Sequence, residues 1–367
     1  MRRTNTADSG HTDPLTRTAA VGLSGGVDSS TALWLLHQAG YRVVGVTLRM
    51  VCLAKSAASD RNCCSIEAIG RAARLCERIG VPHYVVNVES RFRELVIGDF
   101  VRQYRRGRTP NPCIVCNEKI KFPALAEAAD RLGLVSIATG HHARIVRGPR
   151  GGAHLAAAVD VRKDQSYFLY RVPVTVLERS LFPIGTMQKA EVRRIAAGEG
   201  IEAVASRESQ DVCFLPEGDL HAFLDRFIES VRGEAVDTAG RVLGSHRGIS
   251  RYTVGQRRGL GISGAAPLYV KTIDPRRNLI VLAPDEELYA DSVRCRSVRL
   301  RSRSLSTPLV AKIRYRHPAA TVAEIAWRDG VLTVAFEQPQ RAPTPGQSLV
   351  LYRDGVVMGG GVIEGVD

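Results

Sequence analysis

Apolar positions in the first third of the chain switch repeatedly between strand-like runs and helical spacing. Residues 19–23 form a short apolar run, and Leu33, Leu35, Leu36 and Ala39 then recur at helical spacing before Gly40, a helix stop. A strand over 42–48, a helix from about 65 to 79 closed by Gly80, a strand over 83–88 and a helix over 90–104 follow. A turn-rich loop at 107–117, a helix over 118–132 and a strand over 135–139 complete the pattern. Strands alternating with helices predict an α/β fold with a doubly wound parallel sheet. Its ligand site belongs at the carboxyl ends of the strands. The stripe Ile66, Ile69, Ala73, Cys76 and Ile79 reads as a core face, with Cys76 a small apolar residue on it.

The pattern changes after about residue 220. Residues 231–268 are rich in Gly and carry Arg247, Arg251, Arg257 and Arg258. From 269 onward the chain reads as short strands, several of alternating polarity, and a small β-barrel is the natural closure for them. The predicted division is a disordered extension over 1–17, an α/β domain over 18–220, a linking domain over 221–283 and a C-terminal barrel over 284–367.

Composition narrows the class. The chain has 367 residues, 44% hydrophobic and 24% charged, as globular proteins have. It shows no apolar run of the ~20 residues a membrane span needs. The first seventeen residues contain Arg2, Arg3, Asp8 and Asp13 without an apolar stretch, which argues against secretion; their Arg, Ser and Thr fit a mitochondrial leader, the two Asp argue against one, and a cytoplasmic location is the expectation. A net charge of +14 suits a polyanionic partner such as nucleic acid. Arg294, Arg296, Arg299, Arg301 and Arg303 are spaced to put several cations on one strand face. The eight cysteines, Cys52, Cys63, Cys64, Cys76, Cys113, Cys116, Cys213 and Cys295, read as reduced thiols. Cys113 and Cys116 stand apart, because Pro112 and Asn117 flank them.

Between the first strand and the first helix lies Ser24-Gly25-Gly26-Val27-Asp28-Ser29-Ser30. Two glycines let backbone amides approach an anion, and the polar residues read as helix caps. A helix start of this kind is a ready phosphate site. The Lys of a Walker A loop is absent.

This turn resembles the PP-loop signature of ATP pyrophosphatases, which adenylate a substrate oxygen. Further motifs narrow the resemblance: the loop from Gly107 to Asn117 with its Asn111-Pro112-Cys113 and Cys116, then Thr139-Gly140-His141-His142 and Lys163-Asp164-Gln165. Ser209-Gln210-Asp211-Val212-Cys213-Phe214, Tyr252 to Leu260, Arg314-Tyr315, Gln347 and Gly359-Gly360-Gly361 follow in the same order. Together they are similar to the tRNA-specific 2-thiouridylase family from about residue 19 to the C-terminus. The resemblance implies ATP-dependent replacement of the C2 oxygen of the wobble uridine by persulfide sulfur. It implies ATP with Mg²⁺ as cofactor, tRNA as partner, and a cysteine desulfurase or persulfide carrier as sulfur donor. A PP-loop thiolase of another tRNA position and a non-enzymatic RNA-binding protein are the competing readings.

Residue by residue, the resemblance implies ATP binding at Gly22, Leu23, Ser24, Gly25, Gly26, Val27, Asp28, Ser29, Leu48 and Gly140. Leu48 stands where Met is often found. It implies contacts to tRNA or the target base at Asn111, Pro112, Cys113, His141, Lys163, Asp164, Gln165, Arg314, Tyr315 and Gln347. Cys213 matches the persulfide carrier and Cys116 the nucleophile, with a transient Cys116–Cys213 disulfide. Some members carry Asp at the position of Cys113. The alternatives here are a proton carrier, no catalytic part, or a [4Fe–4S] cluster on Cys113, Cys116 and Cys213.

Overall fold

The computed structural model describes residues 17–50, 66–148, 151–201, 212–215, 219–262, 266–301 and 305–366. The expected N-terminal extension apart from Arg17, together with Cys52, Cys63, Cys64, Ser209, Gln210, Asp211 and Arg303, lies outside the described residues.

The chain opens with β1 (Thr18–Gly22), α1 (Val27–Gln38), β2 (Arg42–Arg49), α2 (Ile66–Ile79) and β3 (His83–Asn87). A helix over 89–105 follows, with α3 (Glu89–Phe92) and α4 (Gly98–Arg105) joined by a π turn at Arg93–Ile97. A second helix over 112–131 joins α5 (Pro112–Cys116) to α6 (Phe122–Arg131) through a π turn at Asn117–Lys121. Next come β4 (Ser136–Thr139), the hairpin β5 (Ala143–Arg147) and β6 (Ala153–Ala157), and α7 (Ser166–Leu169). The elements α8 (Val174–Leu177), β7 (Ser180–Leu181) and α9 (Lys189–Gly198) end this part.

Five strands form a parallel sheet in the order β3-β2-β1-β4-β7. Ala19, Ala20 and Val21 on β1 are fully buried, as strands covered by helices on both faces are. From β1 the chain builds outward to β2 on one side and β4 on the other. That switch point opens a crevice at the carboxyl ends of β1 and β4.

Two local expectations are corrected. The helix expected from 118 begins at Pro112, with Asn111 as its cap: the side-chain oxygen accepts the amides of Cys113 at 3.2 Å and Ile114 at 3.4 Å. Pro112 starts this helix rather than breaking one. The π turn lies just ahead of Pro123, which has no amide to donate, and the Phe122 amide reaches the Asn117 carbonyl instead. On α2 the buried face is Ala68, Ala72, Leu75 and Cys76, while Ile66 is 86% exposed. Cys76 is core, and burial pushes its thiol up to about 11.

The middle part holds α10 (Leu220–Leu224), β8 (Gly233–Val236), β9 (Val242–His246), β10 (Tyr269–Asp274) and β11 (Leu279–Ala283). Its sheet has the order β10-β11-β8-β9 around Ala235, Val270, Ile280 and Leu282. The last part holds β12 (Tyr289–Leu300), β13 (Val310–Lys312), β14 (Ala320–Arg328), β15 (Val331–Arg341), β16 (Ser348–Arg353) and β17 (Val356–Val366). These six strands follow the order β12-β15-β14-β13-β16-β17, and pairing of β12 with β17 closes the barrel. Val293, Leu332, Val334, Leu349, Leu351 and Ile363 fill it.

The expected arginine comb on β12 is broken. Arg294 and Arg296 are exposed, with Arg296 paired to Glu364 at 2.7 Å. The β12–β17 register then shifts between Arg296 and Arg299. Beyond the shift Arg301 turns inward and donates to the carbonyls of Tyr170 and Val172 at 2.9 and 2.8 Å.

Barrel and α/β part are tied together at several points. β6 pairs with β17 at Ala156 and Val356, so the hairpin extends the barrel wall. Tyr167 donates its hydroxyl to the Ser348 carbonyl at 2.8 Å. Gln347 donates to the Thr109 carbonyl at 2.8 Å, and the Thr109 amide donates to the Pro345 carbonyl at 2.9 Å. No helix among the described residues is long and apolar enough to cross a membrane.

Candidate active site

The turn after β1 places its anion-binding groups through backbone geometry. Gly25 adopts φ +71°, and a Cβ there would stand 2.6 Å from the Ala68 carbonyl oxygen. Gly26 caps α1 without any side-chain cap bond, so the helix start is not covered by the hydroxyls expected to cap it. Ser29 is used differently: its Oγ accepts the Ser24 amide at 3.2 Å and donates to the Gly26 carbonyl at 3.0 Å. These bonds close the turn on itself and present the start of α1 to the crevice.

The crevice is a cleft of about 1460 Å³. On its wall lie Gly22, Leu23, Ser24, Gly26, Val27, Asp28, Ser29, Leu48 and Gly140 from the first group of expected residues. Asn111, Pro112, Cys113, His141, Lys163, Asp164, Gln165 and Tyr315 from the second group, with Cys116 and Cys213, complete the set. Gly25, Arg314 and Gln347 are not on the wall. Gly25 shapes the turn from behind, and its carbonyl accepts from Arg71 at 3.3 Å. Arg314 donates to the Ala342 carbonyl and to Thr344 Oγ1, and Gln347 holds the Thr109 carbonyl.

Several wall residues are fixed by their own partners. Asp164 is buried and accepts the amides of Ala158 and Ser166 at 3.0 and 3.1 Å. Gln165 Oε1 accepts the His142 amide at 2.9 Å, and the Gln165 amide donates to the His142 carbonyl at 2.7 Å. His141 packs on Phe122 with ring centroids 5.9 Å apart, and its Nδ1 lies 2.8 Å from Thr139 Oγ1. Burial, with the charges of Lys121 and His142, pushes its pKa down to about 3. At neutral pH His141 is therefore an uncharged hydrogen-bonding group.

Lys189 was not singled out by the sequence. It opens α9 with a buried side chain whose Nζ lies 2.5 Å from Asp28 Oδ1. His142 Nε2 stands 3.5 Å from the same oxygen. Burial works to raise the Asp28 pKa, but the His142 hydrogen bond and the Lys189 charge outweigh it and hold the carboxyl below its ordinary value. Arg193, one turn along α9, also lines the cleft. Phe168 is a second wall residue that sequence reasoning passed over.

The three cysteines differ in access: Cys113 is exposed, Cys213 half-buried and Cys116 buried. Among the described residues, no three His, Cys, Asp or Glu side chains gather as metal ligands.

Three family models match in succession: a tRNA methyl transferase HUP domain over residues 17–217, a tRNA methyl transferase PRC-barrel domain over 221–284 and an aminomethyltransferase beta-barrel domain over 287–363. The tRNA-specific 2-thiouridylase MnmA of Geobacter metallireducens is 43% identical over 96% of this chain and 98% of its own length. The chain belongs to the tRNA-specific 2-thiouridylase family. Its similarity to the Chloroflexus aurantiacus member is 42% identity over 94% of this chain and 97% of that one. Among solved structures, the U34-tRNA thiolase NcsA from Methanococcus maripaludis with its [4Fe-4S] cluster matches half of this thiouridylase-family chain and 57% of that one. It does so at 16% identity and a TM-score of 0.32, too weak a likeness to carry function.

Proposed function

We propose that the protein is an ATP-dependent tRNA sulfurtransferase that replaces the C2 oxygen of the wobble uridine by sulfur. The observation that carries this reading is that one cleft holds both the open helix start after β1 and the thiols Cys113, Cys116 and Cys213. An amide-lined turn suits the phosphates of ATP, and paired thiols suit sulfur delivery. Methyl transfer, the word in two of the family descriptions, has no use for that combination.

In this reading the uridine C2 oxygen attacks the α-phosphorus of ATP and pyrophosphate leaves. The resulting AMP ester converts a poor leaving group into a good one. Asp28, ionised and facing the cleft, is the carboxylate that would hold Mg²⁺, which neutralises phosphate charge when bound. Lys189 and Arg193 supply fixed positive charge to the departing pyrophosphate. His141, neutral, meets a polar group of the ribose or base rather than a phosphate.

Cys213 receives the outer sulfur as a persulfide from a cysteine desulfurase or a persulfide carrier. The Cys116 thiolate attacks the inner sulfur of Cys213, closing a Cys116–Cys213 disulfide and releasing the outer sulfur with its electron pair. That sulfur displaces AMP at C2, either as freed sulfide or while still leaving Cys213, and a thiol reductant reopens the disulfide. Cys113, exposed at the start of the same helix, takes the part of a proton carrier or none in this reading, and that of a cluster ligand in the alternative with Cys116 and Cys213. Lys163, Tyr315 and Asn111 are the residues of this wall we assign to tRNA, with the reaction in the cytoplasm. We also keep the expected division near residues 220 and 284 as the domain boundaries.

The test is nucleoside analysis of unmodified tRNA after incubation with protein, ATP, Mg²⁺, a cysteine desulfurase, cysteine and a thiol reductant. 2-Thiouridine is expected at the wobble position alone. Sulfur at another position, or none with ATP untouched, overturns the reading.

The ATP assignment gives a sharper expectation at Lys189. Lys189→Met removes a charge-assisted partner of phosphate and is expected to weaken ATP binding roughly 10- to 100-fold by calorimetry. Binding of tRNA stays within about twofold, since Lys189 lies against the phosphate turn. Native ATP affinity in this variant would remove Lys189 from the site.

A further inference from the structure

Five aromatic rings gather where the barrel meets the α/β part: Tyr167, Phe168 and Tyr170 from 166–170, and Tyr315 and Tyr352 from the barrel. Three of them hold the junction together. Tyr167 donates to the Ser348 carbonyl, Tyr170 shares a hydrogen bond with Ser348 Oγ at 3.0 Å, and Tyr352 shares one with Ser166 Oγ at 3.3 Å. All three are buried. Phe168 and Tyr315 differ, being half-buried and lying on the wall of the cleft. Their ring centroids are 4.4 Å apart with planes tilted by 43°.

The surroundings of this pair are cationic. Arg162 and Lys163 line the same cleft from the α/β side, and Lys312 and Arg316 line it from the barrel side. Phe168 is also tied to the thiol helix, because Asn117, the residue after Cys116, donates its side-chain amide to the Phe168 carbonyl at 3.1 Å. Aromatic faces flanked by arginine and lysine are the chemistry that holds unpaired nucleobases and their phosphates.

We infer that Phe168 and Tyr315 form a stacking platform for an unpaired base of the RNA substrate, with Phe168 a positioning residue for the thiol chemistry. One ring comes from each part of the molecule, so the platform exists only where the barrel is docked. The cations on both sides grip the phosphates flanking the stacked base. The Asn117 bond fixes the platform relative to the helix that carries Cys116. The inference rests on the reading of tRNA as substrate and adds a residue that the family motifs did not point to.

The experiment compares native protein, Phe168→Leu and Phe168→Trp, using an unmodified tRNA transcript, with Tyr315→Leu as a second probe of the platform. Circular dichroism and melting establish that each variant is folded. Phe168→Leu is expected to weaken tRNA binding about 5- to 100-fold, the range for losing one stacked base, with ATP affinity within twofold of native. Phe168→Trp is expected to restore binding, and its added indole fluorescence, measured against native Trp34 and Trp327, is quenched when tRNA binds. Tyr315→Leu is expected to follow Phe168→Leu.

Native tRNA affinity in both leucine variants overturns the platform, as does an indole at 168 that tRNA leaves unquenched. Weakened ATP binding with tRNA binding intact also overturns it, because the pair then stacks adenine of ATP. A native protein that fails to thiolate tRNA in the nucleoside assay sinks the sulfurtransferase reading itself. A native protein that thiolates, beside leucine variants that bind tRNA normally, sinks the platform alone.

Discussion

Cys213→Ser is expected to lower 2-thiouridine formation by about 1000-fold or more, while the rate of the first, single-turnover release of pyrophosphate in the presence of tRNA stays within roughly threefold of native. The split follows from the two halves of the cleft. The phosphate turn, Asp28 and Lys189 are built by β1, α1 and α9 and do not include the thiol. A serine oxygen cannot carry a persulfide sulfur, so adenylate forms and waits. Cys116→Ser fails at a different step. Its Cys213 is loaded but not discharged, and the intact protein is one sulfur atom heavier by mass spectrometry after treatment with the desulfurase and cysteine. Thiolation by Cys213→Ser at the native rate would assign the sulfur to another thiol, and loss of pyrophosphate release would mean that the two half-reactions are not separable.

The sequence made the α/β part and the barrel legible because both announce themselves locally. Apolar runs of five to eight residues between helical spacings produced β1, β2 and β4, and alternation produced β14 and β15. The hairpin of β5 and β6 carried no such signal. Ala143–Arg147 and Ala153–Ala157 pair with each other, and the hairpin gains its place in the sheet where Ala156 pairs with Val356, some two hundred positions later. The helix start at Pro112 was misread as a loop because proline and asparagine punctuate either state, and only the cap geometry at Asn111 tells them apart.

The site divides in the same way. The motifs found the turn, the thiols and most of the wall. They also pointed to Arg314 and Gln347, which the fold uses to hold Ala342, Thr344 and Thr109 at the junction. Lys189 escaped because a lone lysine at a helix start reads as a solvated charge. Its burial against Asp28 is a property of two elements far apart in sequence. Phe168 escaped for a related reason: in a run of aromatic residues nothing local says which ring is core and which faces the cleft.

The second large effect is expected at Gly140. A Cβ on this residue would stand 2.4 Å from the Ser29 amide nitrogen, 2.5 Å from the Asp28 carbonyl carbon and 2.7 Å from Ser29 Cα. Every one of these is backbone of the first turn of α1, which no rotamer change can move aside. The constraint is one of space rather than of backbone strain, because Gly140 does not occupy the left-handed region. Gly140→Ala therefore pushes β4 and the start of α1 apart at the switch point of the sheet. Overpacking of this kind costs about 1–3 kcal/mol, which urea unfolding reads directly. The functional loss is expected to be larger, about 100-fold or more in ATP affinity. The amides of α1 and the Asp28 carboxylate must meet the phosphates within a few tenths of an ångström to be useful. Gly133→Ala is the control, with a positive φ of 63° and open space around the added methyl. It is expected to cost about 1 kcal/mol in stability and to leave ATP affinity alone. If both variants lose stability equally and both bind ATP normally, the close approach of β4 to α1 does not set the geometry of the phosphate turn. If Gly140→Ala alone loses ATP, the site depends on a glycine that touches no substrate and acts by letting the amides and carboxylate of α1 sit where the sheet ends.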